Sequence, residues 1–282
     1  MADAAEIHDL IAGLAARDAE NGSGTVVDEA LHAFRQVRCA DREARAELGE
    51  LTGWLLFDAE RHREARQINR EALALTGDPS LRWFILGNQA LASVHIGRHR
   101  EALRIAEDPG GRPPRRVRAL FDVRAARALA ELGAHQAALR RFDRARSSFL
   151  DGPGPGDPSW TWWFDERELA GHHGLLHASL GDHDAAIPLL NKAVDESAEP
   201  WALYIYRAHL LRTLLAAGAC HDAESVALDI LPMAGTIAGA RADNLLRALP
   251  PTGPAADTVH EIRRRIPVIP PVPPGPTPGK HR

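Results

Sequence analysis

Apolar residues recur along this chain with a helical period. Leu81, Ile85, Leu86 and Ala90 form one stripe, and Leu120, Val123, Leu129 and Leu132 form another. Second stripes follow each of these, such as Ala138, Leu139, Phe142, Ala145 and Phe149. Spacings of three and four place such residues on one helix face. Between paired stripes lies a short recurring pattern. It reads Glu60-Arg-His-Arg-Glu-Ala65, Gly97-Arg-His-Arg-Glu-Ala102, Gly133-Ala-His-Gln-Ala-Ala138, Gly181-Asp-His-Asp-Ala-Ala186 and Gly218-Ala-Cys-His-Asp-Ala223. The closing alanines at 65, 102, 138, 186 and 223 are almost evenly spaced, apart from one wide gap. That gap holds Asp151-Gly-Pro-Gly-Pro-Gly-Asp-Pro158, a loop by composition. The unit is therefore helix, tight turn, helix. Glycine supplies the left-handed backbone that ends the first helix, and the alanine lets the two helices approach.

Start and stop signals agree. Asp78-Pro79 reads as an N-cap followed by proline at the first helical position. Asp165-x-x-Glu168 reads as a capping box with Asp as the cap. Pro188, in the second turn of its helix, is expected to kink it. Two helices, near 3–19 and 26–38, precede the repeats, and two more are expected near 237–248 and 255–266. The organisation predicted is an N-terminal helical cap over 1–42, five repeat units over 43–249, a capping helix within 250–266 and a Pro-rich, disordered tail over 267–282.

The turn glycines and small residues resemble those of the tetratricopeptide repeat. Gly53, Ala65 and Ala72 match its small positions in the first unit, and Ala90, Ala102 and Ala106 serve the second less exactly. Ala126, Ala138 and Ala145 serve the third, and Gly174, Ala186 and Ala193 the fourth. The fifth departs, with Leu211 where a small residue belongs. The resemblance implies an all-α solenoid of about six antiparallel helix pairs in a right-handed superhelix, with a concave groove lined by the first helix of each pair. In that register Asn88, Arg124, His172 and His209 share one groove position, and Trp54, Leu91, Arg127, Leu175 and Arg212 share another.

Two runs carry a narrower likeness. Glu50-Leu-Thr-Gly-Trp-Leu-Leu-Phe-Asp-Ala-Glu-Arg-His-Arg-Glu-Ala65 and Gly156-Asp-Pro-Ser-Trp-Thr-Trp-Trp-Phe-Asp-Glu-Arg-Glu-Leu169 resemble stretches of actinobacterial Xre-type transcriptional regulators. Those proteins join a helix-turn-helix to a tetratricopeptide half. The residues before Glu43 show no helix-turn-helix pattern, so the resemblance implies the sensing half, and direct DNA binding is not expected.

Composition narrows the function classes. Among 282 residues, 45% are hydrophobic and 26% charged, which fits a folded body rather than a disordered chain. The formal net charge of −4 is wrong for a general polyanion binder. Two cysteines, Cys39 and Cys220, cannot build a disulfide framework and read as small core residues. No signal peptide or membrane span is visible, so a cytoplasmic setting is expected.

No phosphate loop, nucleophile elbow, paired-cysteine motif or dinucleotide fingerprint occurs, so neither a catalytic centre nor a cofactor is expected. His172, His173 and His177 form a candidate metal cluster, since His173 and His177 are four apart on a helix. The histidines at each turn, His62, His99, His135 and His183, read instead as structural. Trp160, Trp162, Trp163 and Phe164 either clamp a loop to the core or line a pocket. The groove arginines suit a carboxylate, because a guanidinium offers it a two-pronged hydrogen bond. The expectation is thus a non-catalytic module that binds a protein, peptide or effector in its groove, belonging to a regulator that acts through a partner. The alternatives are a scaffold bridging enzymes of a pathway, and a metal-dependent enzyme at the histidine cluster.

Overall fold

A computed structural model of the chain describes residues 3–37, 41–250, 253 and 255–267. Cys39 and the tail from 268 onward lie outside the described residues. Among those described there are fourteen α-helices and no strand. They are α1 (Ala4–Asn21), α2 (Val27–Gln36), α3 (Arg42–Asp58), α4 (His62–Leu75), α5 (Pro79–His95), α6 (His99–Glu107), α7 (Arg115–Glu131), α8 (His135–Leu150), α9 (Glu166–Ser179), α10 (His183–Asp195), α11 (Pro200–Ala217), α12 (Cys220–Ile230), α13 (Ala240–Arg247) and α14 (Ala256–Arg265).

Aspartates start several of these helices. The side chains of Asp3, Asp41, Asp78, Asp165 and Asp182 accept hydrogen bonds from the first-turn amides of their helices, which satisfies donors that a helix start leaves free. At Asp165 only half of the expected capping box forms. Asp165 accepts from the Glu168 amide at 2.8 Å, while the Glu168 side chain turns into the interior. Pro188 lies inside α10, which runs past it to Asp195.

The turns follow the repeat. Gly97, Gly133, Gly181 and Gly218 have φ between 73° and 78°, a region where an L side chain crowds its own carbonyl. The recurring histidines His62, His99, His135 and His183 each open the second helix of a pair. Ala65, Ala102, Ala138, Ala186 and Ala223 are buried where the paired helices cross. Cys220 departs from expectation: it opens α12 and is exposed rather than buried, because the fifth turn presents that position to solvent.

Adjacent helices pair as α3 with α4, α5 with α6, α7 with α8, α9 with α10 and α11 with α12. The first helices of successive pairs also pack on one another, α3 on α5, α5 on α7, α7 on α9 and α9 on α11. The result is an α-solenoid with an inner layer of first helices. Its two ends meet, because α1 packs against both α3 and α11. The backbone seals the join: the Ala238 amide donates to the Asn21 carbonyl at 2.8 Å, and the Gly24 amide donates to the Ala238 carbonyl at 2.9 Å. Asp58, 1% exposed, accepts from Arg241 Nε at 2.6 Å, Trp201 Nε1 at 2.8 Å and Ser23 Oγ at 3.0 Å. One carboxylate thus ties the first repeat to α11, α13 and the turn after α1. The inner helices, with α1 across the join, surround a lumen on the concave face that stays open to solvent beside Trp162.

Candidate functional site

The inner helices deliver polar and aromatic side chains to this lumen at spacings of three and four, which place them on one face. Helix α3 supplies Glu50 and Trp54, α5 supplies Asn88, Leu91 and His95, and α7 supplies Arg124 and Arg127. Helix α9 supplies Glu168, His172 and Leu175, and α11 supplies Trp201, Tyr206 and His209. Two cavities of ≈ 280 Å³ and ≈ 90 Å³ share Trp54, Leu91, Glu168 and Trp201, so they adjoin along this lumen. Eight of the nine groove residues expected from the repeat register line it. The ninth, Arg212, is exposed.

The larger part is aromatic and acidic. Trp54, Trp163, Trp201 and Phe84 form walls around Asp18 and Glu50. Burial, reinforced by the Asp58 charge, pushes the Asp18 carboxyl up to about 7, although Trp54 Nε1 donates to it at 3.3 Å. Burial pushes Glu50 up to about 8, against the 2.7 Å hydrogen bond it accepts from Asn88 Nδ2. At neutral pH Glu50 is thus mostly a neutral acid, able to donate as well as accept.

The smaller part is basic. Arg124 is 1% exposed, and burial holds it and Arg127 down to about 10, so both stay cationic at neutral pH. Burial and the Arg124 charge hold His172 down to about 4 and therefore neutral. Burial lowers His209 as well, helped by the charges of Arg212 and Arg127. Burial works against ionised Glu168, but hydrogen bonding to His172, the Arg124 charge and the Tyr206 hydroxyl outweigh it and keep its pKa near 2. Tyr206 donates to Glu168 at 2.6 Å. Its ring lies against Gly171, where a Cβ would come within 2.3 Å of it.

His172 cannot satisfy all its neighbours. Its Nε2 lies 2.5 Å from Arg124 Nη1 and 3.1 Å from Glu168 Oε1, and its Nδ1 lies 3.4 Å from Arg127 Nη1. A neutral imidazole has one N–H and one lone pair. If Nε2 is protonated it serves Glu168 and confronts the Arg124 donor. If Nδ1 is protonated, Nε2 accepts from Arg124 and turns its lone pair on the Glu168 oxygen. The Nε atoms of Arg124 and Arg127 are also buried without a partner among the described residues. This corner of the lumen therefore carries a surplus of donors.

The histidine cluster separates. His172 faces the lumen, while His173 stacks on Phe142, with ring centroids 4.3 Å apart, and meets His177 at 3.2 Å. His177 also contacts Asp182 at 3.0 Å. Successive helical residues point about 100° apart, so His172 cannot join the other two around one ion.

The aromatic run divides. Trp160 stacks on Phe84 at 4.6 Å and donates to Ser80 Oγ at 2.9 Å, and Phe164 is buried edge-on to Phe149. Those two clamp the turn, whereas Trp162 and Trp163 line the larger cavity, Trp162 with 75% of its surface exposed. The repeat register did not find Asp18, Glu50, Glu168, Trp201 or Tyr206. For Glu50 and Glu168 the signal was the i, i+4 spacing of Glu50–Trp54 and Glu168–His172 on one face; Asp18, Trp201 and Tyr206 carried none.

No helix among the described residues is long and apolar enough to cross a membrane. No protein-family model matches the chain, and no curated protein matches it. A crystal structure of BtubC (BKLC) from P. vanneervenii is similar over 86% of this chain and 91% of that one, with 20% identity and a TM-score of 0.43.

Proposed function

We propose that the chain is a non-catalytic binding module of tetratricopeptide type whose lumen takes a small effector, or the end of a peptide, bearing a carboxylate. The reading rests on the donor surplus around His172. A carboxylate placed there would accept from Arg124 and Arg127 and let Nε2–H of His172 serve Glu168. The aromatic part of the lumen would hold the apolar body of the ligand, with neutral Glu50 available to donate. Because α1 and α13 bridge the ends of the solenoid, the lumen has the size of a compact ligand, ≈ 280 Å³ in its larger part, rather than the length of a long open groove.

A regulatory role fits the same geometry. The two runs that resemble Xre-type regulators contribute Glu50 and Trp54 from one, and Trp162, Trp163 and Glu168 from the other. The effector would then be read out through a partner protein. A scaffold is the second reading, favoured by Leu150 and Trp162, which are 68% and 75% exposed and border one surface groove.

The test is calorimetric titration of a panel of aromatic and aliphatic carboxylates alongside their amides. The expected result is a carboxylate that binds while its amide does not, with Arg127→Ala weakening it by about 10–150-fold, the loss of one charged hydrogen bond. Equal affinity of acid and amide, or of wild type and Arg127→Ala, would refute the reading.

A further inference from the structure

The first repeat breaks the turn rule of the other four. Where they place glycine, it has Glu60, with φ at 61°, the one non-glycine residue of positive φ among the described residues. Left-handed backbone costs an L residue about 1–2 kcal/mol relative to glycine. Such strain persists where the surroundings fix the residue, and it clusters at functional sites. Here the surroundings are two histidines. Glu60 Oε1 lies 2.6 Å from His95 Nε2, and Oε2 lies 3.2 Å from His62 Nε2. The two imidazoles are 5.5 Å apart, and Phe57 packs edge-on to the His95 ring at 5.5 Å, walling one side. One donor atom from each of the three residues lies within 4.8 Å of the others.

The geometry points to a metal site: Glu60, His62 and His95 form a three-ligand centre for a divalent transition-metal ion of the zinc class. Two imidazole nitrogens and one carboxylate oxygen are a donor set that zinc takes readily. Bonds of about 2.0–2.2 Å put neighbouring donors of a tetrahedron about 3.3 Å apart, close to the Glu60–His62 separation. The Glu60–His95 pair, at 2.6 Å, must open by less than 1 Å while the two imidazoles adjust to the ion, and His95 has room to move, since its side chain is 36% exposed. Three protein ligands leave a fourth position open. His95 also lines the smaller cavity of the lumen, so the ion sits at its rim, within reach of a second molecule or of water. The site stands on its own geometry and does not depend on the carboxylate reading above.

Glu60→Gly separates the metal role from folding. It removes a ligand but restores the turn residue of the other repeats, so the metal-free variant is expected to be at least as stable as wild type. Untagged protein, stripped with a chelator, is titrated with Zn²⁺ and separately with Co²⁺. Wild type is expected to bind one ion, with the visible absorption of tetrahedral cobalt. Loss of a mere outer partner weakens a metal about 10–100-fold, so Glu60→Gly and His95→Ala should each weaken it by at least about 100-fold. His177→Ala, on the separate His173–His177 pair, should bind as wild type does. The proposal is overturned if stripped wild type binds no ion. It is equally overturned if Glu60→Gly binds as well as wild type, or if His177→Ala alone abolishes binding. A histidine titration that Zn²⁺ leaves untouched would assign the trio to a plain ion bridge instead.

Discussion

Removing the Asp58 carboxylate tests whether the two ends of the solenoid hold each other. Asp58→Ala deletes hydrogen bonds from Arg241, Trp201 and Ser23, all to a group only 1% exposed. Breaking one side of a buried ion pair costs about 3–5 kcal/mol, because the partner charge stays behind. Arg241 keeps some compensation: its guanidinium carbon lies 4.6 Å from the Phe57 ring centre and 5.5 Å from that of Trp54, contacts worth about 0.5–1 kcal/mol each. The expected loss is therefore about 3 kcal/mol. At about 2–4 °C per kcal/mol for a domain of this size, the melting midpoint should fall by about 6–12 °C. A double-mutant cycle with Arg241→Ala should return a coupling of about 2 kcal/mol, within the range for contacting charged pairs. The discriminating assay is native-state hydrogen exchange. If the join holds the ends together, amides of α1 and α13 should lose protection in concert, although they are far apart in sequence. A loss below about 1 kcal/mol, no coupling in the cycle, or fraying of α13 while α1 stays protected would refute the reasoning.

Burial raises the folded-state pKa of Glu50 to about 8, so between about pH 4.5 and 8 the folded chain binds a proton that the unfolded chain releases. Stability must then fall with rising pH in that window, by at most about 1.4 kcal/mol per pH unit for this group; Glu50→Gln should flatten the fall in urea titrations at pH 5, 6, 7 and 8, and an unchanged slope would refute it. His172 acts oppositely: its folded pKa of about 4 lies below the ordinary 6.5, so its contribution is lost as pH falls through that interval, and His172→Gln should lessen the acid sensitivity seen in the same titrations. Gly171→Ala drives a Cβ into the Tyr206 ring and should cost about 1–3 kcal/mol as overpacking, measured by chemical denaturation, with the Tyr206–Glu168 bond broken. Trp160→Ala should release the aromatic turn from Phe84 and speed protease cleavage within 151–158, at little expense to the distant α13–α14 pair.

The helix pairs were legible because their determinants are local. A turn glycine, an alanine where helices cross and an aspartate cap each act within a few residues. Groove positions were legible for the same reason, since one helix face is a period that the eye can follow. What escaped detection is carried by distance or by competition. No local pattern links Asp58 to Arg241, yet that pair helps join the first repeat to α13 across the concave face. Glu168 sat at the third position of a capping box, and from the sequence its side chain had an obvious use at the helix start. In the fold, Arg124, His172 and Tyr206 offer it stronger partners. The run of three histidines suggested a common ion, but a step of one residue on a helix turns a side chain away. Glu60 was visible as an exception to the turn glycines, and only its φ and the approach of His95 from the next helix pair give that exception a meaning.

Because the first and last repeats grip one another, the number of units is not free to drift. An open array can gain or lose a helix pair by duplication or deletion and simply grow longer or shorter. Here one extra pair would push neighbouring helices apart by about 8–10 Å, and the Asp58–Arg241 contact at 2.6 Å could not span the gap. The 48-residue step between Ala138 and Ala186 puts its extra length into a connection rather than into an extra helix pair, so the join of the ends is left intact.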